Sequence, residues 1–166
     1  MAAGNTYTQI ASTTLGSAAS SVTFSSIAGT YTDLVLVVSA KSTSSAQNLF
    51  MRVNSDTGTN YSTTLVTGSG TATGSARTSS ATQSALDNYG YVDTANHNTN
   101  IINLMNYANT SVYKTWLSRA GNAANGTTAL VGLWRSTSAI NAIEIYIAAN
   151  TFVAGSTFNL YGISAA

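Results

Sequence analysis

Short apolar runs separated by clusters of Gly, Asn, Ser and Thr extend along the whole chain. The runs are rich in Val, Ile, Tyr, Phe and Thr, a rhythm that is typical of strands and turns, and helical spacing is scarce. The pattern predicts an all-β fold of about ten short strands. The eleven candidate segments are 6–12, 21–27, 33–40, 48–54, 61–67, 90–92, 100–107, 111–119, 127–136, 141–148 and 156–163.

Alternation with period two distinguishes the faces of several predicted strands. In 141–148, Ile143, Ile145 and Ile147 alternate with Glu144 and Tyr146. Side chains of a strand point to opposite faces in turn, so the isoleucines share one face and the carboxylate lies on the other. This strand therefore has one wet side, as expected in an antiparallel β-sandwich.

The run Leu34–Val38 is apolar at every position. Such a strand is expected to be covered on both faces, either by a second sheet of the same chain or by a neighbouring subunit. Leu34, Val35 and Leu36 are therefore candidates for the core or for a subunit interface.

Aromatic residues are numerous, with nine Tyr and two Trp. Rings combined with amide side chains suit a sugar-binding surface, but the same rings suit a core or a subunit contact. Trp116 and Trp134 lie inside predicted strands, and Tyr161 lies in the last one, so all three are candidates for the core or an interface.

Two polar segments between strands require separate interpretation. The segment 54–60 is rich in residues that tolerate left-handed backbone angles and is predicted to be a hairpin loop. Its side-chain oxygens, from Asn54, Asp56 and Asn60, also suit Ca²⁺. An EF-hand loop, however, needs Gly at its sixth position and Glu at its twelfth, where this chain has Thr59 and Leu65. The longer segment 68–87 is almost entirely Gly, Ser, Thr and Ala, and is predicted to be a surface loop or an arm ordered by a partner.

Composition narrows the class of protein. A chain of 166 residues fits one domain, 1–166. Only 7% of residues are charged, but 44% are hydrophobic and the net charge is +1, so the chain should fold. The six basic residues are scattered, which argues against nucleic acid as a partner. There is no Cys, and neither a secretory signal nor a membrane span is visible, so we expect synthesis in the cytoplasm without a membrane partner.

The residues available for catalysis are few. His97 is the one histidine, and it lies in a polar loop just before a strand, where an exposed and inert imidazole is expected. A glycan hydrolase would need two converging carboxylic acids, and no pair is singled out among the five. We therefore predict no enzymatic activity, no catalytic residue, no cofactor and no metal.

Four segments, taken in their order along the chain, resemble a known family. They are Gly29–Leu36, Asn54–Ser62, Gly132–Thr137 followed by Ala139 and Ile140, and Phe152–Ile163, which ends in Leu-Tyr-Gly-Ile. In this order they resemble phage virion surface proteins, which are described as capsid decoration, cement, head-fibre or tail-fibre proteins of marine and cyanobacterial phages. The resemblance covers most of the chain from Tyr7 to Ile163.

The resemblance implies a jelly-roll type of sandwich, a homotrimer, a place on the virion and contact with the major capsid protein or another virion protein. The chain has no shaft repeats or coiled coil, which favours a decoration, cement or head-fibre component over a long fibre. The alternative is a tail-associated fibre module that binds a host receptor or surface glycan.

Overall fold

Twelve β-strands in two antiparallel sheets make up the computed structural model, which describes residues 6–164. No helix among these residues is long and apolar enough to cross a membrane. The strands are β1 (Tyr7–Thr14), β2 (Ser21–Phe24), β3 (Asp33–Ala40), β4 (Leu49–Val53), β5 (Tyr61–Gly68), β6 (Thr73–Ala81), β7 (Ser84–Ala85), β8 (Asn98–Met105), β9 (Lys114–Asn122), β10 (Gly126–Trp134), β11 (Ile143–Ile147) and β12 (Thr157–Ile163).

The two sheets differ in size. The larger has eight strands in the order β1-β12-β3-β8-β9-β10-β5-β6, and the smaller has four in the order β2-β11-β4-β7. The all-β sandwich predicted from the apolar rhythm is therefore confirmed.

Strand pairing follows a nested order along the chain. In the larger sheet β1 pairs with β12 and β3 with β8, while in the smaller sheet β2 pairs with β11 and β4 with β7. Two local hairpins, β5–β6 and β9–β10, are inserted into this order and extend the larger sheet beyond β8. We call the strands β9, β10, β5 and β6 the extension.

The core lies between the sheets and follows the period-two pattern of each strand. Leu36 and Leu160 are neighbours on β3 and β12, and Ile143 and Ile145 face them from β11 with no exposed surface. The buried apolar side chains of both sheets belong to one cluster, except for Val35 and Ala120. The predicted domain, 1–166, also includes residues 1–5 and 165–166, which lie outside the described residues.

The inner face of the extension is covered by the segment that follows β7. Thr128 Oγ1 on β10 accepts hydrogen bonds from the backbone N–H groups of Asn88, Tyr89 and Gly90 at 3.0 to 3.4 Å. On β9, Ser118 Oγ lies 3.0 Å from Leu86 O and can donate to it. These polar contacts lie beside Trp116 and Leu130, apolar side chains of the same face that belong to the buried core.

The prediction of a loop or arm over the whole of 68–87 is wrong, because residues 73–81 form the strand β6. This strand pairs with β5 over Thr63–Gly68, and nearly all its side chains are exposed. Neither of its faces is buried, so its sequence needs no apolar alternation and the periodicity could not reveal it. Backbone hydrogen bonds to β5 hold it in place.

Two other predicted elements also differ. The segment 90–92 is not a strand: Val92 forms only an isolated bridge with Gln47, because the preceding N–H groups bind Thr128 instead of a neighbouring strand. The segment 54–60 is not a hairpin loop, since β4 and β5 belong to different sheets and the loop crosses between them. Asn54 and Ser55 do have left-handed backbone angles, with φ of 51° and 56°.

Candidate functional site

The six residues predicted for the core or an interface divide between the two faces of the larger sheet. Leu34, Leu36, Trp116 and Trp134 point inward and are buried. The other two, Val35 and Tyr161, are cross-strand partners on β3 and β12 and share the outer face. Val35 is only 5% exposed, whereas Tyr161 is half-buried.

Apolar side chains are exposed on the outer face of the extension. Val66 on β5, Leu117 on β9 and Val131 on β10 are 58%, 47% and 49% exposed. Leu117 pairs directly with Val131, and Ala129, the outward neighbour on β10, pairs with Val66. Side chains of directly paired residues lie on the same face, so these four form one continuous patch.

The patch is the floor of a shallow concavity of about 590 Å³. We call it the outer groove and define it by its outward-facing residues, which are Thr64, Val66, Asn103, Leu117, Arg119, Ala129 and Val131. An antiparallel sheet that faces water is normally polar on that side, and an exposed apolar patch rimmed by polar groups marks an interaction surface. The chemistry of the groove suits an apolar partner surface that brings hydrogen-bond acceptors to its rim.

Two arginines provide positive charge at the outer groove. Arg119 lies within it, one outward position along β9 from Leu117. Arg77 on β6 is the cross-strand partner of Thr64 and therefore faces the same side. Neither guanidinium donates a hydrogen bond to another residue of 6–164.

Most carboxylates have structural partners instead. Asp93 accepts hydrogen bonds from the N–H groups of Ala95 and Asn96 and from the amides of Asn122 and Asn125, at 2.7 to 3.1 Å. Burial raises the pKa of Asp93, but these four hydrogen bonds outweigh that effect and hold the pKa below its ordinary value. The carboxylate thereby joins the 93–96 turn to the β9–β10 turn.

Asp56 has a similar role in the loop between the sheets. Its carboxylate accepts hydrogen bonds from Gly58 N at 2.7 Å, Asn60 Nδ2 at 2.9 Å and Trp134 Nε1 at 2.5 Å. Burial raises the pKa of Asp56, and the hydrogen bonds from Trp134, Asn60 and Gly58 outweigh it. The oxygens weighed as calcium ligands thus face N–H donors, and Asn54 Oδ1 likewise accepts from the N–H groups of 141 and 142.

Lys114 and His97 are the remaining groups with candidate chemistry. Lys114 is buried at the start of β9, and its Nζ donates to Val112 O at 2.8 Å and to Thr137 O at 3.1 Å, so it ties two loops together. Burial lowers the pKa of Lys114. His97 is exposed just before β8, with Nδ1 3.1 Å from Ser39 Oγ. Within residues 6–164, no three His, Asp or Glu side chains gather as a metal site would require.

The outer groove was not among the surfaces predicted from the sequence. A signal was present in 129–134, where Ala, Leu, Val, Gly, Leu and Trp follow one another without a polar residue, as in the run at 34–38. Recognising the groove also required knowing that β5, β9 and β10 are adjacent, because its residues come from three separate segments.

Comparison with known proteins adds no family. No protein-family model matches the chain, and a search of curated proteins found no match.

Proposed function

We propose that this chain is a structural, non-enzymatic protein of a bacteriophage virion, where it decorates or cements the capsid or forms part of a head fibre. The outer groove carries this proposal. A patch of exposed Val and Leu on a rigid sheet is suited to permanent attachment, since burying it removes apolar surface from water.

The nested strand pairing supports a jelly-roll interpretation of the sandwich. Four strands of the first half of the chain, β1 to β4, pair in reverse order with β12, β11, β8 and β7. A long antiparallel hairpin rolled into two four-stranded sheets has this order, and jelly rolls are used by viral capsid proteins and by lectins. The two inserted hairpins are an addition that supplies the outer groove.

The surface composition also suits a particle component. Only 7% of the residues are charged, so contacts formed by this surface depend on neutral hydrogen bonds and apolar burial, which salt screens little. The proposed partners are further copies of the chain, as a homotrimer, and the major capsid protein or another virion protein.

Cryo-electron microscopy of intact particles tests the proposal. We expect density for the β-sandwich on the particle exterior, and we expect particles without the chain to lose resistance to heat or osmotic shock. Complementation with the wild type should restore resistance, whereas Val131→Asp should not. Absence of the chain from purified virions would contradict the proposal.

A second candidate is a tail-associated module that binds a receptor glycan. Tyr7, 57% exposed, and Tyr161 form an edge-to-face ring pair at 6.4 Å on the outer face, and Gln9 is the cross-strand partner of Tyr161. Rings beside an amide can stack on and hydrogen-bond a sugar. Binding to a glycan array that Tyr7→Ala abolishes, but that Tyr113→Ala leaves intact, would favour this function. No binding by the wild type would exclude it.

A further inference from the structure

Within residues 6–164, one acidic side chain accepts no hydrogen bond from the chain. Asp33 accepts from Asn106 N and Asp87 from Leu49 N, in addition to Asp56 and Asp93 described above. Within residues 6–164, Glu144 alone among the acids accepts none. It projects from β11 on the outer face of the smaller sheet, between the buried Ile143 and Ile145.

The surroundings of Glu144 are partly apolar. The rings of Phe50 and Tyr146 lie beside each other on the same face, with centroids 5.8 Å apart. Arg52 is the cross-strand partner of Glu144, but its guanidinium lies 4.8 Å from the Tyr146 ring centroid and donates to Thr82 O and Gln83 Oε1. Glu144 therefore presents its charge next to two half-buried rings.

We propose that the outer groove of one copy binds the outer face of the smaller sheet of a second copy, with Glu144 opposite Arg119. The inference rests on the proposed role of the outer groove as an assembly surface and names its partner. The side chains without a hydrogen-bond partner have opposite charges on the two surfaces, because Arg52 beside Glu144 is held by Thr82 and Gln83. The rings of Phe50 and Tyr146 would cover Leu117 and Val131. Charge complementarity of this kind fixes the partner and the orientation of a contact.

The same charges disfavour a symmetric contact between two outer grooves. Stacking groove on groove would place Arg119 and Arg77 of both copies at one interface with no carboxylate from the groove, and like charges at an interface oppose binding. Because the two proposed surfaces differ, the contact is head-to-tail, and such contacts close into a ring or continue as a filament.

Sedimentation velocity of the full chain over a range of concentrations tests this contact. We expect the wild type to self-associate. Arg119→Glu or Glu144→Arg alone should raise the dissociation constant about tenfold or more. The combination of the two substitutions should restore most of the affinity, because it exchanges the charges across the interface. Lys41→Glu is the matched control, since it makes the same charge change outside the groove and should have no effect.

Glu144→Gln serves as a milder second variant whose charge is lost rather than reversed, and intermediate weakening is expected. Each variant is compared with the wild type by its urea midpoint, so that loss of association is separated from loss of fold. A monomeric wild type at all concentrations, or association that neither reversal weakens, or a double variant as weak as the single ones, would overturn the contact.

These outcomes are distinct from those of the virion experiment. A chain that is present on particles but monomeric in solution contradicts this inference alone. A chain that self-associates through Glu144 but is absent from virions contradicts the proposed function alone.

Discussion

Strands β3 and β10 have similar sequences but different surroundings. Each carries an unbroken run of non-polar residues, at 34–38 and 129–134, and each has neighbours on both sides in the larger sheet. On the outer face, however, Val35 of β3 is 5% exposed, whereas Val131 of β10 is 49% exposed. An apolar run on both faces therefore predicts two covering layers, but it does not say whether the same chain supplies both.

The difference arises from the outward neighbours of each strand. Val35 is flanked by Tyr161 on β12 and Asn103 on β8, and the large Tyr161 side chain is available to cover it. Val131 is flanked by Leu117 and Thr64, which are themselves exposed. In the contact proposed above, a second copy would supply the missing layer over β10. Four experiments test how far the two strands differ.

The largest effect is expected where the strands are alike, on their inner faces. Leu36→Ala in β3 and Leu130→Ala in β10 should each lower the free energy of unfolding by about 2 to 5 kcal/mol, because both side chains are buried and leave cavities. Urea denaturation measures both losses. A loss below about 1 kcal/mol for Leu130→Ala would mean that β10 is poorly covered on both faces.

The next effect concerns the contact between β10 and β9. A Cβ added at Gly132 would lie 2.0 Å from Trp116 Nε1, since the indole packs flat against the glycine backbone. Gly132→Ala should therefore lower the free energy of unfolding by about 1 to 3 kcal/mol. Gly121→Ala on β9 is the matched control: a Cβ there meets nothing within 4 Å, so stability should stay constant or rise slightly. Equal losses would contradict the close packing of Trp116.

A gain in stability is expected from replacing Asp87, which lies in the segment that covers the inner face of β10. Its Oδ1 accepts from Leu49 N, but Oδ2 is buried without a partner, and burial raises the pKa of Asp87 well above its ordinary value of 3.8. The folded state thus holds this proton more tightly than the unfolded state. The resulting stabilisation is complete below about pH 3.8 and declines as the pH rises toward the folded-state pKa.

Asp87→Asn removes this ionisation and should raise the free energy of unfolding at pH 7, by on the order of 1 kcal/mol, the cost typical of one unsatisfied buried group. The variant and the wild type should have similar stabilities at pH 3. Thermal or urea unfolding across pH 3 to 8 measures the difference. A gain of equal size at pH 3 and pH 7 would show that the charge of Asp87 is not its cause.

The smallest change in stability is expected on the outer face of β10. Val35→Thr should cost about 1 to 3 kcal/mol, because a hydroxyl replaces a methyl group at a buried site. Val131→Thr should alter stability by less than about 0.5 kcal/mol but weaken self-association in sedimentation velocity. If both substitutions had the same effect on unfolding and none on association, the two strands would be equivalent.

Much of the fold could be predicted from the sequence because strands with buried faces have a recognisable apolar pattern. Asp33–Ala40 was predicted with the bounds that the structure has, and Ile143–Ile147 lies within the predicted 141–148. Residues 73–81 have no such apolar pattern, since β6 buries neither face. Leu34, Leu36, Trp116 and Trp134 are core residues, but their sequence context alone did not distinguish core from interface. The outer groove depends on the order of three distant segments, which local pattern does not contain.

The nested pairing has a consequence for how the chain folds during synthesis. Among the strands of residues 6–164, β1 has only β12 as its neighbour, so it must wait until residues 157–163 have left the ribosome, whereas β3 can pair earlier with β8. The hairpins β5–β6 and β9–β10 can close as soon as they are made, because their partners are adjacent in sequence. Contacts between distant residues form slowly, since loop closure costs entropy first. The strands that carry the outer groove can therefore begin to pair first, and β1, although it is made first, is among the last strands to pair.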